Sequence, residues 1–167
     1  MGLLQRASVL KAIVLSRSLS NFRDLYNLRR LVLRWCATTH TFFFSCGKLT
    51  VTLENMANHL LLPILGDVDL TTIELSLEEE AIEVELKKRM TENAKLPYWV
   101  SSSSKFSVVA RHAPFVAFWL CKFVFGSHPH YALKPLYFPL AIKISVGVSL
   151  SLAPIFLGHL YVQLDIL

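Results

Sequence analysis

The sequence is poor in the residues that build small stapled or metal-bound modules. Its 167 residues include only three cysteines, Cys36, Cys46 and Cys121, and no two of them have the Cys-x-x-Cys spacing. An odd number of cysteines without that spacing argues against a disulfide framework and against a zinc module. We therefore expect reduced thiols, as in a cytosolic or nuclear protein.

Charged residues are also scarce, and they are unevenly distributed. They make up 17% of the chain and hydrophobic residues 53%, against about 25% and about 45–50% in ordinary soluble domains. This composition excludes a disordered chain and predicts either a well-filled core or a surface covered by a partner or a membrane. Acidic residues are almost absent from residues 1–35, where seven lysines and arginines accompany Asp24 alone. Such a basic segment suits a polyanion or a solvated helix face.

Uninterrupted apolar runs are lacking as well. The longest window without a charge, residues 144–164, contains Pro154 and a cluster of glycine and serine before it. A spanning helix needs about 20 predominantly apolar residues, and proline interrupts a helix. The pattern disfavours a membrane-spanning protein. A membrane-associated protein that uses residues 113–125 and 144–164 is the third functional interpretation, after the two given at the end of this section. The first 20 residues form a poorly defined basic leader, with a transit peptide as a minor alternative.

The motifs of common enzymes and nucleic-acid modules are missing. There is no phosphate-binding GxxxxGK[ST] or GxGxxG, and no zinc finger, basic zipper or RNA-recognition signature. No lysine follows a strand with a glycine- or serine-rich phosphate loop, as a pyridoxal-phosphate site requires. We therefore expect no catalytic residue, no cofactor and no small-molecule substrate.

Histidines and cysteines offer only weak candidate sites. Cys36, His40 and Cys46 lie close in sequence, but a nucleophile also needs an orienting group and an oxyanion site. We predict structural roles for them, with His40 hydrogen-bonded to backbone between a helix and a hairpin. His128 and His130 lie in a predicted loop, and their spacing is not that of a zinc module. We therefore expect no metal site.

Residues 9–19 show a weak helical pattern of uncertain extent. Apolar residues at three- and four-residue steps then predict the next helix, with Asn21 as its N-cap and Trp35 at its end. Its polar side is basic. Those arginines are either solvated or contact a phosphate or another anion. The candidate anion contacts are Arg23, Arg29, Arg30 and Arg34.

Around Gly47, β-prone residues predict a small hairpin near residues 41–52. Thr52 can cap the next helix through its hydroxyl, and this helix should stop before Pro63. Ser76 and Glu79 form a predicted capping box for a surface helix that ends near Asn93.

The last third of the chain predicts buried helices. A helix over residues 113–125 is apolar on all sides, with Pro114 in its first turn. Two further helices, over residues 136–146 and 153–167, contain Pro139 and Pro154 near their starts. We therefore predict a mainly α, single helical domain with a small β-hairpin. Its parts are a leader (1–20) and a domain (21–167) with an acidic middle (53–100), a serine linker (101–104) and an apolar helical last third (105–167).

Short motifs recur along this domain in a fixed order. The first group is Arg34-Trp35, Thr39-His40-Thr41-Phe42, Cys46-Gly47, Thr52-Leu53-Glu54 and Pro63; the second is Trp119, Pro139, Pro154 and Tyr161. In this order they resemble the plant mobile domain family, also called aminotransferase-like plant mobile domain or maintenance-of-meristems-like proteins. We take these residues as a structural signature.

The resemblance implies a mostly helical domain found in plant transposable elements and in host genes derived from them. Relatives act in the nucleus in meristem maintenance, genome stability and transposon silencing, and the resemblance supplies no catalytic set. We therefore expect a non-enzymatic nuclear interaction domain with protein partners; cytoplasm is the alternative location. The runner-up is a transposon remnant that binds nucleic acid through its basic helix. Cys36-Ala37-Thr38 departs from the family pattern, and we also expect a short or truncated copy.

Overall fold

The computed structural model describes residues 2–18, 24–69, 72–92, 108–126 and 133–167, and all statements on structure concern these residues. The fold is mainly helical with a small antiparallel sheet, which confirms the predicted class. The helices are α1 (Leu3–Arg6), α2 (Leu10–Ser18), α3 (Leu25–Val32), α4 (Leu53–His59), α5 (Leu77–Glu92), α6 (Val108–Trp119), α7 (Phe138–Ser145) and α8 (Leu152–Ile166). A π-helical turn (Leu120–Val124) follows α6, and a 3-10 turn (Pro135–Tyr137) precedes α7.

The sheet has three short strands, β1 (Trp35–Cys36), β2 (Thr41–Phe44) and β3 (Gly47–Leu49), in the order β1-β2-β3. The predicted hairpin corresponds to β2 and β3, where Phe44 pairs with Gly47, whose φ is +135°. β1 was not predicted. Trp35 pairs with Phe42 across β1 and β2. The prediction that Trp35 ends the helix that begins after Asn21 was therefore wrong.

Helix α3 is shorter than predicted. Asp24 caps it, because the Asp24 carboxylate accepts hydrogen bonds from the Asn27 backbone N–H at 3.0 Å and from the Asn27 side chain at 2.6 Å. The predicted cap, Asn21, lies outside the described residues. The helix ends at Val32 because Arg34 and Trp35 turn toward the sheet, where the Arg34 carbonyl accepts from the Phe43 N–H at 2.9 Å.

The local signals of the next two helices are confirmed. The Thr52 hydroxyl accepts from the Asn55 N–H at 3.3 Å, and the Asn55 side chain accepts from the Thr52 N–H at 2.9 Å. Ser76 and Glu79 satisfy each other's backbone N–H in the same way, at 2.8 and 3.4 Å.

The core forms where α6 and the π-helical turn pack against α7. Val116, Leu120, Phe138 and Ile142 have no exposed surface. A buried helix was predicted here, but it starts at Val108, so Pro114 lies inside α6 rather than in its first turn. Proline removes one backbone hydrogen bond from a helix interior. The predicted serine linker, residues 101–104, lies outside the described residues.

Two loops meet edge to edge beside this core. The Asp67 N–H donates to the Ser149 carbonyl at 2.8 Å, and the Ala153 N–H donates to the Pro63 carbonyl at 3.0 Å. Gly66 permits this approach, because a Cβ at that position would lie 2.5 Å from the Ser151 nitrogen. The loop over residues 146–151 also divides the apolar window that the sequence singled out. Within the described parts of the chain, no helix is both long and apolar enough to cross a membrane.

A buried ion pair attaches α5 to α7. Lys143 Nζ lies 2.7 Å from Glu79 Oε2, and only 15% and 11% of the two side chains are exposed. Burial works to raise the pKa of Glu79, but the hydrogen bonds from Lys143 and Ser76 outweigh it and bring the pKa below its ordinary value. The pair therefore stabilises the fold above the ordinary carboxyl pKa of about 4.3.

We expect Lys143→Met to lower the free energy of unfolding by about 2 kcal/mol at pH 7, since Glu79 would stay buried without its partner. Below about pH 4.3, as Glu79 becomes protonated, the difference from the wild type should shrink. Denaturant unfolding at pH 7 and pH 3.5 measures both effects. Lys87→Met is the control, because the Lys87 side chain is half exposed where it pairs with Glu83 at 2.8 Å. Equal losses in the two variants would contradict the prediction.

Candidate interaction surface

One carboxylate near the end of α8 holds two residues of the sheet region. The Trp35 indole N–H donates to Asp165 Oδ1 at 2.8 Å, and His40 Nε2 lies 3.3 Å from Asp165 Oδ2. One residue from each of the two signature motifs that surround β1 therefore contacts the Asp165 side chain. Asp165 is the sole acid of residues 105–167, which is the sequence signal that could have singled it out.

Tyr161, one turn earlier in α8, completes the contact. Its hydroxyl donates to the Val51 carbonyl at 2.6 Å and lies 3.0 Å from the Thr50 hydroxyl oxygen. Its ring stacks on His40 with centroids 5.1 Å apart, and Trp35 packs on it at 5.5 Å. We call Trp35, His40, Thr50, Tyr161 and Asp165 the aromatic clamp, because together they fix the sheet to α8.

The clamp holds His40 in a backbone conformation that non-glycine residues rarely adopt, with φ at +48°. A left-handed conformation costs a side chain about 1–2 kcal/mol. The Thr50 hydroxyl donates to the His40 carbonyl at 2.7 Å, while stacking on Tyr161 fixes the ring. The predicted bond of His40 to backbone was wrong, because the ring faces the Asp165 carboxylate instead.

The remaining signature residues are spread over the fold. Thr39 and Thr41 hydroxyls lie 2.7 Å apart, and Trp119 donates its indole N–H to the Ser16 hydroxyl at 3.1 Å. The others lie at element ends or inside the sheet. Phe42 is buried in β2, Cys46 lies in the hairpin turn, and Gly47 begins β3. Leu53 and Glu54 begin α4, Pro63 follows α4, and Pro139 and Pro154 lie in the first turns of α7 and α8.

Helix α3 lies next to the clamp in sequence and has no buried residue. Leu25 and Leu28 are 66% and 55% exposed, and Leu33 just beyond the helix is 85% exposed. Leu25, Leu28 and Val32 recur at helical spacing, so they share one face, which we call the α3 face. Apolar side chains grouped on the exposed face of so short a helix are unusual.

The arginines predicted to contact anions differ in their surroundings. Arg34 donates to the Phe43 carbonyl at 3.2 Å and lies over the Phe44 ring at 5.2 Å. Arg30 lies over Tyr26 at 5.5 Å. Arg29 is exposed and has no ion pair among the described residues, and Arg23 lies outside them. Arg29 is therefore the accessible positive charge beside the α3 face, and Arg30 lies on the other side of the helix.

The three thiols occupy different environments. Hydrogen bonds from the Thr39 side chain and backbone hold the pKa of the half-exposed Cys36 below its ordinary value. Burial raises the pKa of Cys121 despite a hydrogen bond from the Lys134 N–H. Cys46 is exposed in the hairpin turn.

Histidines do not assemble a metal site in the part of the chain that the structure describes, where no three His, Cys, Asp or Glu side chains come together to hold an ion. His159 Nε2 lies 2.9 Å from the Phe125 carbonyl oxygen. His112 Nδ1 is buried without a hydrogen-bond partner there. His128 and His130 lie outside the described residues.

Two concave regions lie near the core. A cavity of about 220 Å³ is bordered by α2, the segment after α4, the π-helical turn and α8, with Ser16, Trp119 and Lys122 as its side chains that carry polar atoms. An open groove of about 410 Å³ between the 3-10 turn and α8 is mostly apolar, with Tyr137 and His159 as its side chains that carry polar atoms, and His159 already bonds to backbone. Neither lining combines a nucleophile, a base and an oxyanion donor.

These features define a mainly helical domain whose sequence signature builds a structural clamp beside an exposed basic helix. The model of the plant mobile domain family matches residues 10–167, which include every signature residue. The chain belongs to the plant mobile domain family, a transposon-derived domain. No curated protein and no solved structure matches the chain.

We expect Asp165→Ala to destabilise the protein by about 1 kcal/mol, because Trp35 and His40 both lose their partner. Asp165→Asn should cost less, since the amide oxygen can still accept from the Trp35 N–H. Chemical denaturation of both variants measures the difference. Gln163→Ala, an exposed change on the same helix, serves as control, and a clamp without energetic importance would make all three variants alike.

We expect iodoacetamide to modify Cys36 before Cys121, because a thiol reacts as its thiolate and Cys121 is both buried and high in pKa. Thr39→Val should slow the reaction of Cys36 by removing one of its hydrogen bonds. Mass spectrometry of tryptic peptides over time gives both rates. An unchanged Cys36 rate in the Thr39 variant would show that the hydroxyl does not support the thiolate.

Proposed function

We propose that this chain is a non-enzymatic nuclear interaction domain of transposon-related origin. The observation that carries the proposal is the α3 face, whose leucines lie in water although the chain is rich in hydrophobic residues. Membership of the plant mobile domain family supports this proposal. We further propose a role like that of the proteins of meristem maintenance, genome stability and transposon silencing.

The length of α3 supports a partner at this surface. A helix of eight residues is marginal in water by itself, since isolated helices need about 12–15 residues. The Asp24 cap stabilises the first turn, and the sheet holds only the end of the helix through Arg34. A partner that buries Leu25 and Leu28 would stabilise α3 and cover its apolar surface.

A second candidate function is binding to nucleic acid. It is favoured by Arg29, which is exposed and has no acidic partner among the described residues. Arginines that neutralise phosphates release counterions, so affinity then falls steeply with salt. This function would need the arginines but not the leucines of α3, so substitutions can distinguish it from protein binding.

Affinity purification from plant nuclei with one double variant and one control variant tests the proposal. We expect Leu25→Ser/Leu28→Ser to lose the protein partners of the wild type, because the apolar contact is removed. Val162→Ser, another exposed apolar position on α8, should retain them. Partners that persist in the leucine variant would overturn the α3 face as the interaction surface.

Titration of the purified protein with duplex DNA tests the second function. Arg29→Gln/Arg30→Gln should reduce the slope of log affinity against log salt by about 1.8 if both arginines contact phosphates. An absence of binding at low salt would exclude it.

A further inference from the structure

Helix α5 presents a second unpartnered face to solvent. Leu77 and Val84 are 85% and 64% exposed, and Ala81 is exposed between them. These three residues are spaced i, i+4 and i+7, so they form one row. Glu79 and Leu86 lie on the buried side, where α5 contacts α7. Like α3, helix α5 therefore offers an apolar row that nothing in the described structure covers.

The charges beside this row are opposite to those of α3. Glu78 and Glu80 are exposed in the first turn of α5 and form no ion pair among the described residues. Arg29 flanks the α3 face, whereas Arg30 lies on the opposite side of α3, over the Tyr26 ring. Two copies of α3 would bring arginine against arginine, whereas α3 against α5 brings arginine against glutamate. Complementary charges of this kind select partner and orientation.

The order of charges along the two helices fixes their relative direction. Helix α3 begins at Asp24 and carries its arginines toward its end, while α5 begins with glutamates and has Lys87 further along. In an antiparallel pair, Arg29 lies beside the glutamates and Asp24 lies near Lys87.

We propose that this chain associates with a second copy of itself, with α3 of one copy packed antiparallel on α5 of the other. Leu25, Leu28 and Val32 then cover Leu77, Ala81 and Val84, while Arg29 pairs with the Glu78 and Glu80 carboxylates. The inference rests on the proposed function in one respect, that the α3 face is the interaction surface.

Charge reversal tests this pairing. We expect the wild type to exceed the monomer mass of 18.9 kDa in light scattering and sedimentation as concentration rises. Arg29→Glu/Arg30→Glu and Glu78→Arg/Glu80→Arg should each weaken the association at least about tenfold, because like charges then meet. An equimolar mixture of the two variants should recover it, since reversed α3 then meets reversed α5. Circular dichroism checks that each variant is folded.

Arg6→Glu/Arg17→Glu is the matched control, because it changes net charge equally at exposed positions outside both helices. It should associate like the wild type. A wild type that stays monomeric, a mixture that stays dissociated, or an association abolished by nuclease would each overturn the proposal. If the chain is monomeric while Leu25→Ser/Leu28→Ser still loses nuclear partners, the self-pairing fails and the proposed function stands.

Discussion

The arrangement of the sheet depends on the contact between Asp165 and two residues more than a hundred positions earlier. No other carboxylate contacts Trp35 or His40 in the described residues. Tyr161, on the same helix as Asp165, adds a hydrogen bond to the Val51 carbonyl just after the sheet. Three strands of two to four residues cannot stabilise themselves in water. The sheet is therefore stable because α8 supplies its missing packing surface.

The fold therefore has two regions, a tightly packed body and a helix with few contacts to it. The body is joined by the apolar core of α6 and α7 and by the Glu79–Lys143 pair, whose burial makes each partner costly to remove. Helix α3 lies beyond the clamp, and in the described part of the chain the Arg34 contacts and the strand that follows connect it to the body. A rigid attachment point with an exposed helix beside it is suited to binding, because the surface is held in place while its apolar residues remain accessible.

Features set by neighbours in sequence were predictable, and those set by distant contacts were not. The caps at Thr52 and at Ser76 depend on residues three positions away, so a short window contains the whole interaction. The strand at Trp35 is two residues long and exists only because Phe42 pairs with it, while the preceding apolar spacing is that of a helix. The order of motifs in the sequence identified Trp35, His40 and Tyr161 as signature residues. It did not reveal that Trp35 contacts Asp165, 130 residues later, which is the contact that holds these residues together.

Because the clamp joins the sheet to α8, the sheet can reach its final packing only after α8 has been synthesised. Trp35 leaves the ribosome long before Asp165 is added, and contacts between such distant residues form slowly because a long loop must close first. Until then the strands around β2 lack their packing partner and expose Trp35 and its aromatic neighbours. The nascent protein therefore presents an aromatic, strand-forming segment that chaperones can bind, and the arrival of α8 ends that interval.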